Sequence, residues 1–296
     1  MHTRSSAAAT ALLLTASAAG LALTSGSAQA TGSHHHTSAA RAATLTVTIT
    51  STKAGPKLSV DKFRPGNTLF KVVRGNAGGT MQVLRLKQGY SLKHAFKDFA
   101  AAFPNNAPSD VAAVRSVYKN VVFYGGVDVP NKGRTNRFGV DIDKASKYYV
   151  VNLNKNTLTS FLAKGAHQKR SLPKAGGTLN MAEGPAGSNV FKTPKNDPHK
   201  GWMKTTNNAA EPHFVSLNQV KESTTDQDIA DALTSPNPPD FFLAGAAETN
   251  VISPGHSFVW KYGVPKGKYV VLCFMPSKVD GTPHALMGMF KLFHMN

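Results

Sequence analysis

Gly267-Lys268-Tyr269-Val270-Val271-Leu272-Cys273-Phe274-Met275-Pro276 is the stretch on which the reading of this chain turns. Its β-branched and aromatic run, opened by Gly and closed by Pro, predicts a buried strand that delivers Cys273 at its end. A turn-rich segment follows, with Asp280-Gly281-Thr282-Pro283-His284 and then Gly288-Met289, so that Met289 lies five positions beyond His284. Upstream, Glu211-Pro212-His213-Phe214-Val215 places His213 at the opening of another predicted strand. One thiol, two imidazoles and one thioether are thus set at strand ends. Met275 and Met287 stand nearby as further sulfur groups.

Working outward, the strand pattern occurs twice. Pro65-Gly66-Asn67-Thr68-Leu69-Phe70 with Gly79-Thr80-Met81-Gln82-Val83 parallels His199-Lys200-Gly201-Trp202-Met203 with Glu211-Pro212-His213-Phe214-Val215. Each pair leads to an amphipathic helix, predicted over 91–103 with Leu92, Phe96, Phe99 and Phe103 on one stripe, and over 225–233 with Asp226 and Asp228 in its first turn. Phe123-Tyr124-Gly125-Gly126 then matches Phe242-Leu243-Ala244-Gly245, and Arg137-Phe138-Gly139-Val140 matches Ser257-Phe258-Val259-Trp260. A repeat of this length is a duplicated domain. Short alternating strands with Gly and Pro turns predict a mainly β chain of two tandem Greek-key sandwiches, mostly antiparallel, each with a helical insertion. The expected domains are 44–165 and 171–296, with 166–174 as the linker.

The N-terminus reads as an export signal. Residues 1–4 carry a positive start, 7–23 are apolar, and Ser27-Ala28-Gln29-Ala30 offers a cleavage point after Ala30. Residues 1–30 are therefore expected to be a Sec-type signal peptide and 31–43, with His34, His35 and His36, a disordered tether. The mature protein is expected to be secreted, and no stretch is long enough to span a bilayer. Lys plus Arg number 34 against 16 Asp plus Glu, a balance that favours anionic partners such as a wall polymer or an acidic protein. Nucleic acid is not expected, because no recognition motif accompanies the charge.

Cys273 is the only cysteine. In an oxidising compartment an unpaired thiol calls for burial, interchain pairing or metal ligation. Taken singly, Cys273 reads as a buried hydrophobe, His213 as a satisfied strand histidine and Met289 as core filler. Taken together, two imidazoles, a thiolate and a weak thioether suit a copper ion that cycles between two oxidation states. At the places aligned with His213 and Cys273 the first copy has Met81 and Asn152, so the scaffold itself does not demand those residue types.

This C-terminal stretch resembles the ligand loop of cupredoxins, the blue copper domains of the plastocyanin and azurin type. The resemblance covers about 171–296 and, without ligands, the first copy. It implies one type 1-like copper ion held by His213, Cys273, His284 and Met289, and a role in electron transfer or copper handling, with a redox protein as a possible partner. Ten residues separate Cys273 from His284, more than the family usually has. The alternative is a metal-free module that keeps the scaffold and associates with a cell wall or other anionic surface. Enzymes with tandem cupredoxin domains use His-x-His and His-Cys-His motifs. Neither neighbour of Cys273 is His, so no catalytic activity is expected.

Overall fold

The alternation at 44–50 forms β1 (Leu45–Thr52), which turns Val47, Ile49 and Ser51 inward as the two-residue period requires. In the computed structural model, which describes residues 43–296 apart from 105, 106, 195, 236 and 238, eighteen strands and three α-helices follow one plan twice. The first half continues with β2 (Gly55–Leu58), β3 (Lys62–Phe63), β4 (Gly66–Arg74), β5 (Thr80–Leu86), α1 (Leu92–Ala102), α2 (Val111–Asn120), β6 (Val121–Asp128), β7 (Thr135–Ile142), β8 (Ser146–Asn152) and β9 (Thr157–Ala163). The second comprises β10 (Gly177–Glu183), β11 (Asn189–Lys192), β12 (Asn196–Asp197), β13 (Lys200–Asn208), β14 (Ser216–Val220), α3 (Asp226–Thr234), β15 (Phe242–Glu248), β16 (Ser257–Gly263), β17 (Gly267–Leu272) and β18 (Phe290–Met295).

The fold is mainly β, but the two halves share a sheet. Five-stranded sheets β3-β9-β8-β5-β6 and β12-β18-β17-β14-β15 belong to one half each, whereas a single eight-stranded sheet, β11-β10-β13-β16-β7-β4-β1-β2, runs through both. The join is the antiparallel pair β7–β16, with Phe138 opposite Trp260, Gly139 opposite Val259 and Val140 opposite Phe258. Matched residues exchange places across this pair, giving it local two-fold character about Gly139 and Val259. A side chain at Gly139 would meet Leu172 Cδ2 at 2.6 Å and Val259 Cγ2 at 3.1 Å, which is why glycine stands there. The sheets are also less uniformly antiparallel than expected: β1–β4, β10–β13, β3–β9 and β12–β18 are parallel.

Strand register corrects the alignment of the two copies. Both β5 and β14 open with a hydroxyl residue opposite an acid, Thr80 with Asp128 and Ser216 with Glu248, and both then carry a bulge. Met81 therefore corresponds to Leu217, and His213 lies ahead of the strand. Asn152 pairs with Met81 as Val271 pairs with Leu217, so Cys273 lies beyond the paired strand and has no match in Asn152. The bulges shift one strand against its neighbour, and sequence spacing alone does not register that shift.

The helical insertions differ. α3 is capped as its sequence predicts, with Thr225 and Asp228 forming a reciprocal capping box. α1 follows Ser91, whose hydroxyl accepts from the His94 N–H, but Phe96 is 41% exposed, and Ala95 and Ala102 are the buried positions. α2 is an addition to the expectation. Asp110 caps it by accepting from Ala112 and Ala113, and it buries Ala113, Val114 and Val117. The segment at 166–174 is no free tether: Arg170 is buried and donates to the carbonyls of Arg64 and Pro65. The expected signal peptide and residues 31–42 lie outside the described residues. Among those described, no helix is long and apolar enough to cross a membrane.

Candidate metal centre

β17 ends at Leu272, and the next residue, Cys273, leaves the sheet with its side chain fully buried. The ten residues that follow form a hairpin rather than a slack loop. Pro276 bridges Pro283, the Ser277 and Gly281 N–H groups donate to Thr282 and Ser277, and the His284 N–H donates to Met275. The Ala285 N–H then donates to the carbonyl of Cys273 itself at 2.7 Å. The extra length is taken up in the hairpin tip, and His284 returns beside Cys273 as a shorter loop would bring it. His213 is set by a two-way backbone exchange with Ile252, its N–H donating to Ile252 at 3.1 Å and its carbonyl accepting at 2.8 Å. Ile252 in turn bridges Tyr124 on β6, so the first half backs this segment.

These elements bring three of the four expected residues together. Cys273 Sγ lies 3.5 Å from His213 Nδ1 and 3.9 Å from His284 Nδ1, and the two Nδ1 atoms are 3.0 Å apart. All three side chains are buried, and they form the one His/Cys/Asp/Glu cluster with metal-ligand proximity among the described residues. A first-row ion held at about 2.0 Å by nitrogen and about 2.3 Å by sulfur needs donor separations of roughly 3.3–3.7 Å. The observed 3.0, 3.5 and 3.9 Å straddle that range, so shifts of a few tenths of an ångström would seat one such ion. Met289 is buried in the same apolar cluster as Cys273, and its N–H donates to the His284 carbonyl after a left-handed turn at Gly288. Met287 is 47% exposed and Met275 is buried.

Sequence reading missed Glu211. Its carboxylate accepts from His284 Nε2 at 2.9 Å and from the Lys278 N–H at 3.2 Å, and it is itself largely buried. A carboxylate only accepts, so the proton of His284 sits on Nε2 and, in the neutral ring, the Nδ1 lone pair faces Cys273 and His213. Burial, the largest single influence, works to raise the Glu211 carboxyl, but the hydrogen bonds from His284 and the Lys278 N–H and the charges of those two residues together outweigh it and hold the group below its ordinary value. The signal was its place two residues before His213, on the same face of an extended segment.

The electrostatics suit a cation. Burial pushes the Cys273 thiol up to about 12, opposed by the Phe214 and Met275 N–H groups that point at the sulfur. Burial, then the charge of His284, hold His213 well below its usual range, so its imidazole stays neutral and available. His213 Nε2 has no partner among the described groups. A buried protonated thiol beside the neutral His213 imidazole, with a second imidazole in contact, is a poor proton site and a good soft-cation site.

The remaining histidines stay apart. His256 is less exposed than expected, with its ring 4.9 Å from that of Tyr124. His167 pairs with Asp141, and His294 pairs with Glu222. His34, His35 and His36 fall outside the described residues.

No protein-family model matches the chain, and no curated protein does. Solved structures similar to it include a reduced auracyanin from Roseiflexus castenholzii, 21% identical over 42% of this chain and 99% of that one, at a TM-score of 0.25. A copper nitrite reductase from Nitrosomonas europaea is 11% identical over 86% of this chain and 94% of that one, at a TM-score of 0.24. A multicopper oxidase is 9% identical over 86% of this chain and 90% of that one, at 0.23. The expectation that the chain has no catalytic activity is corrected here. Structures similar to most of its length include enzymes, and missing His-x-His motifs do not exclude catalysis.

Proposed function

We propose that this chain binds one copper ion through His213 Nδ1, Cys273 Sγ and His284 Nδ1, with the Met289 thioether as a weaker fourth donor, and serves electron transfer or copper handling. The observation that carries the reading is the buried triangle of 3.0, 3.5 and 3.9 Å among three donor atoms drawn from two distant segments. A bound copper ion would supply reversible one-electron chemistry at this point. The chain's own part is to hold the ligands. Glu211 fixes the His284 tautomer, the hairpin fixes the spacing of Cys273 and His284, and burial excludes water. The export signal expected at 1–30 supports action outside the cytoplasm. The excess of 34 basic over 16 acidic residues supports an anionic docking partner, a wall polymer or an acidic redox protein.

Cupric titration of the purified protein tests this. One ion per chain is expected, with an intense thiolate-to-copper absorption, and Cys273→Ser abolishes both. Wild-type protein with neither stoichiometric uptake nor the absorption would sink the copper reading and leave the metal-free, surface-binding module, which the strong positive charge favours.

A further inference from the structure

α2 presents Val111, Arg115 and Tyr118 at i, i+4 and i+7, a side distinct from the Ala113, Val114 and Val117 face buried in the first half. That side meets the hairpin between Cys273 and His284. The Tyr118 hydroxyl donates to the Pro276 carbonyl at 2.6 Å. Arg115 Nε donates to the Lys278 carbonyl at 2.7 Å and its Nη2 to that of Val279 at 3.1 Å. Gly281 completes the contact: its φ is 78°, and an added Cβ would lie 3.2 Å from the Ser109 carbonyl oxygen and 3.4 Å from Val111 Cγ2. Two side chains of the ligand-free half thus occupy three carbonyls, those of Pro276, Lys278 and Val279, in the segment joining two candidate donors of the other half.

We propose that Tyr118 and Arg115 are positioning residues for the candidate centre, and that the first half serves as the brace that keeps the Cys273–His284 hairpin closed. The proposal rests on the copper reading for its purpose, but the brace itself is a property of the metal-free chain. Three carbonyls left without these donors would find water instead, and the hairpin tip would open more often. Opening would expose Cys273, which is fully buried when the hairpin is closed.

The experiment uses the full chain in four forms: wild type, Tyr118→Phe, Tyr118→Phe with Arg115→Met, and Ser116→Ala. Ser116 is the matched control, since its hydroxyl donates at 2.5 Å to Asp98 on α1 and not to the hairpin. Two rates are measured: labelling of Cys273 by a thiol reagent in metal-free protein, and transfer of copper from loaded protein to a chelator. The double variant is expected to raise both by about tenfold, the single variant by less, and Ser116→Ala neither. Faster labelling in a protein that never takes up copper would uphold the brace and sink the copper reading. Wild-type labelling in the double variant, or equal acceleration by Ser116→Ala, would overturn the brace whatever copper does. If the double variant does not fold, the hydroxyl deletion in Tyr118→Phe alone decides by the same criteria.

Discussion

His284 meets two demands with one ring: Nδ1 faces the thiol, and Nε2 is spent on Glu211. Removing the carboxylate frees the ring to rotate and to change tautomer. Glu211→Ala is therefore expected to weaken copper binding by about 10–100-fold, read by competition with a chelator of known affinity. Titration of the metal-free chain offers a second check. His213 is lowered from an ordinary 6.5, so the unfolded chain takes that proton first; the contribution is present above about pH 6.5 and is lost as pH falls toward the folded value. Cys273 is raised from 9.0 to about 12, so its contribution is present below about pH 9 and is lost as pH rises through the folded value. Thermal midpoints should decline on both sides of this window. Cys273→Ser should lessen the decline between about pH 9 and 10, before tyrosines whose ordinary value is 10.0 begin to contribute.

At the scale of elements, the Cys273–His284 hairpin and α2 stand out because both depart from what spacing suggested. Ten residues look like a slack connection, yet the Ala285 N–H bonds to the Cys273 carbonyl and closes the base. The entropy of a longer loop grows slowly with length, and internal hydrogen bonds offset it here. α2 was legible in principle. Asp110 stands before Val111, Val114 and Val117, a capping residue ahead of a helical apolar stripe. Asp110→Ala should cost about 1 kcal/mol, measured as a lower urea midpoint with unchanged slope. The Phe96 position was misread for a related reason. α1 packs mainly against α2 with Ala95 and Ala102 buried, and Phe96 lies outside that contact, turned to solvent.

For the whole molecule, the shared eight-stranded sheet decides how it unfolds. One apolar cluster contains Val47, Phe70 and Phe138 of the first half together with Trp260, Cys273 and Met295 of the second. Polar groups cross the seam as well: Gln82 donates to the Val251 carbonyl, and Asn250 donates to that of Met81. Neither half can unfold without exposing that shared core and breaking the β7–β16 ladder. The described chain is expected to unfold in one calorimetric transition, with calorimetric and van't Hoff enthalpies in agreement. Two well-separated transitions would show that the seam is weaker than its packing implies.

The linear chain by itself determined the strand content, the repeat and the identity of the four candidate donors, because period-2 burial and turn residues are local and the order His, Cys, His, Met is written along the backbone. Tertiary structure alone decided that His213 and Cys273, sixty residues apart, approach to 3.5 Å, that Glu211 orients His284, and that the ligand-free half grips the hairpin through Tyr118 and Arg115. These are contacts between segments whose relative placement depends on bulges, on the closed hairpin and on the β7–β16 join. No short-range pattern encodes those, because each is fixed by packing among residues far apart in the chain.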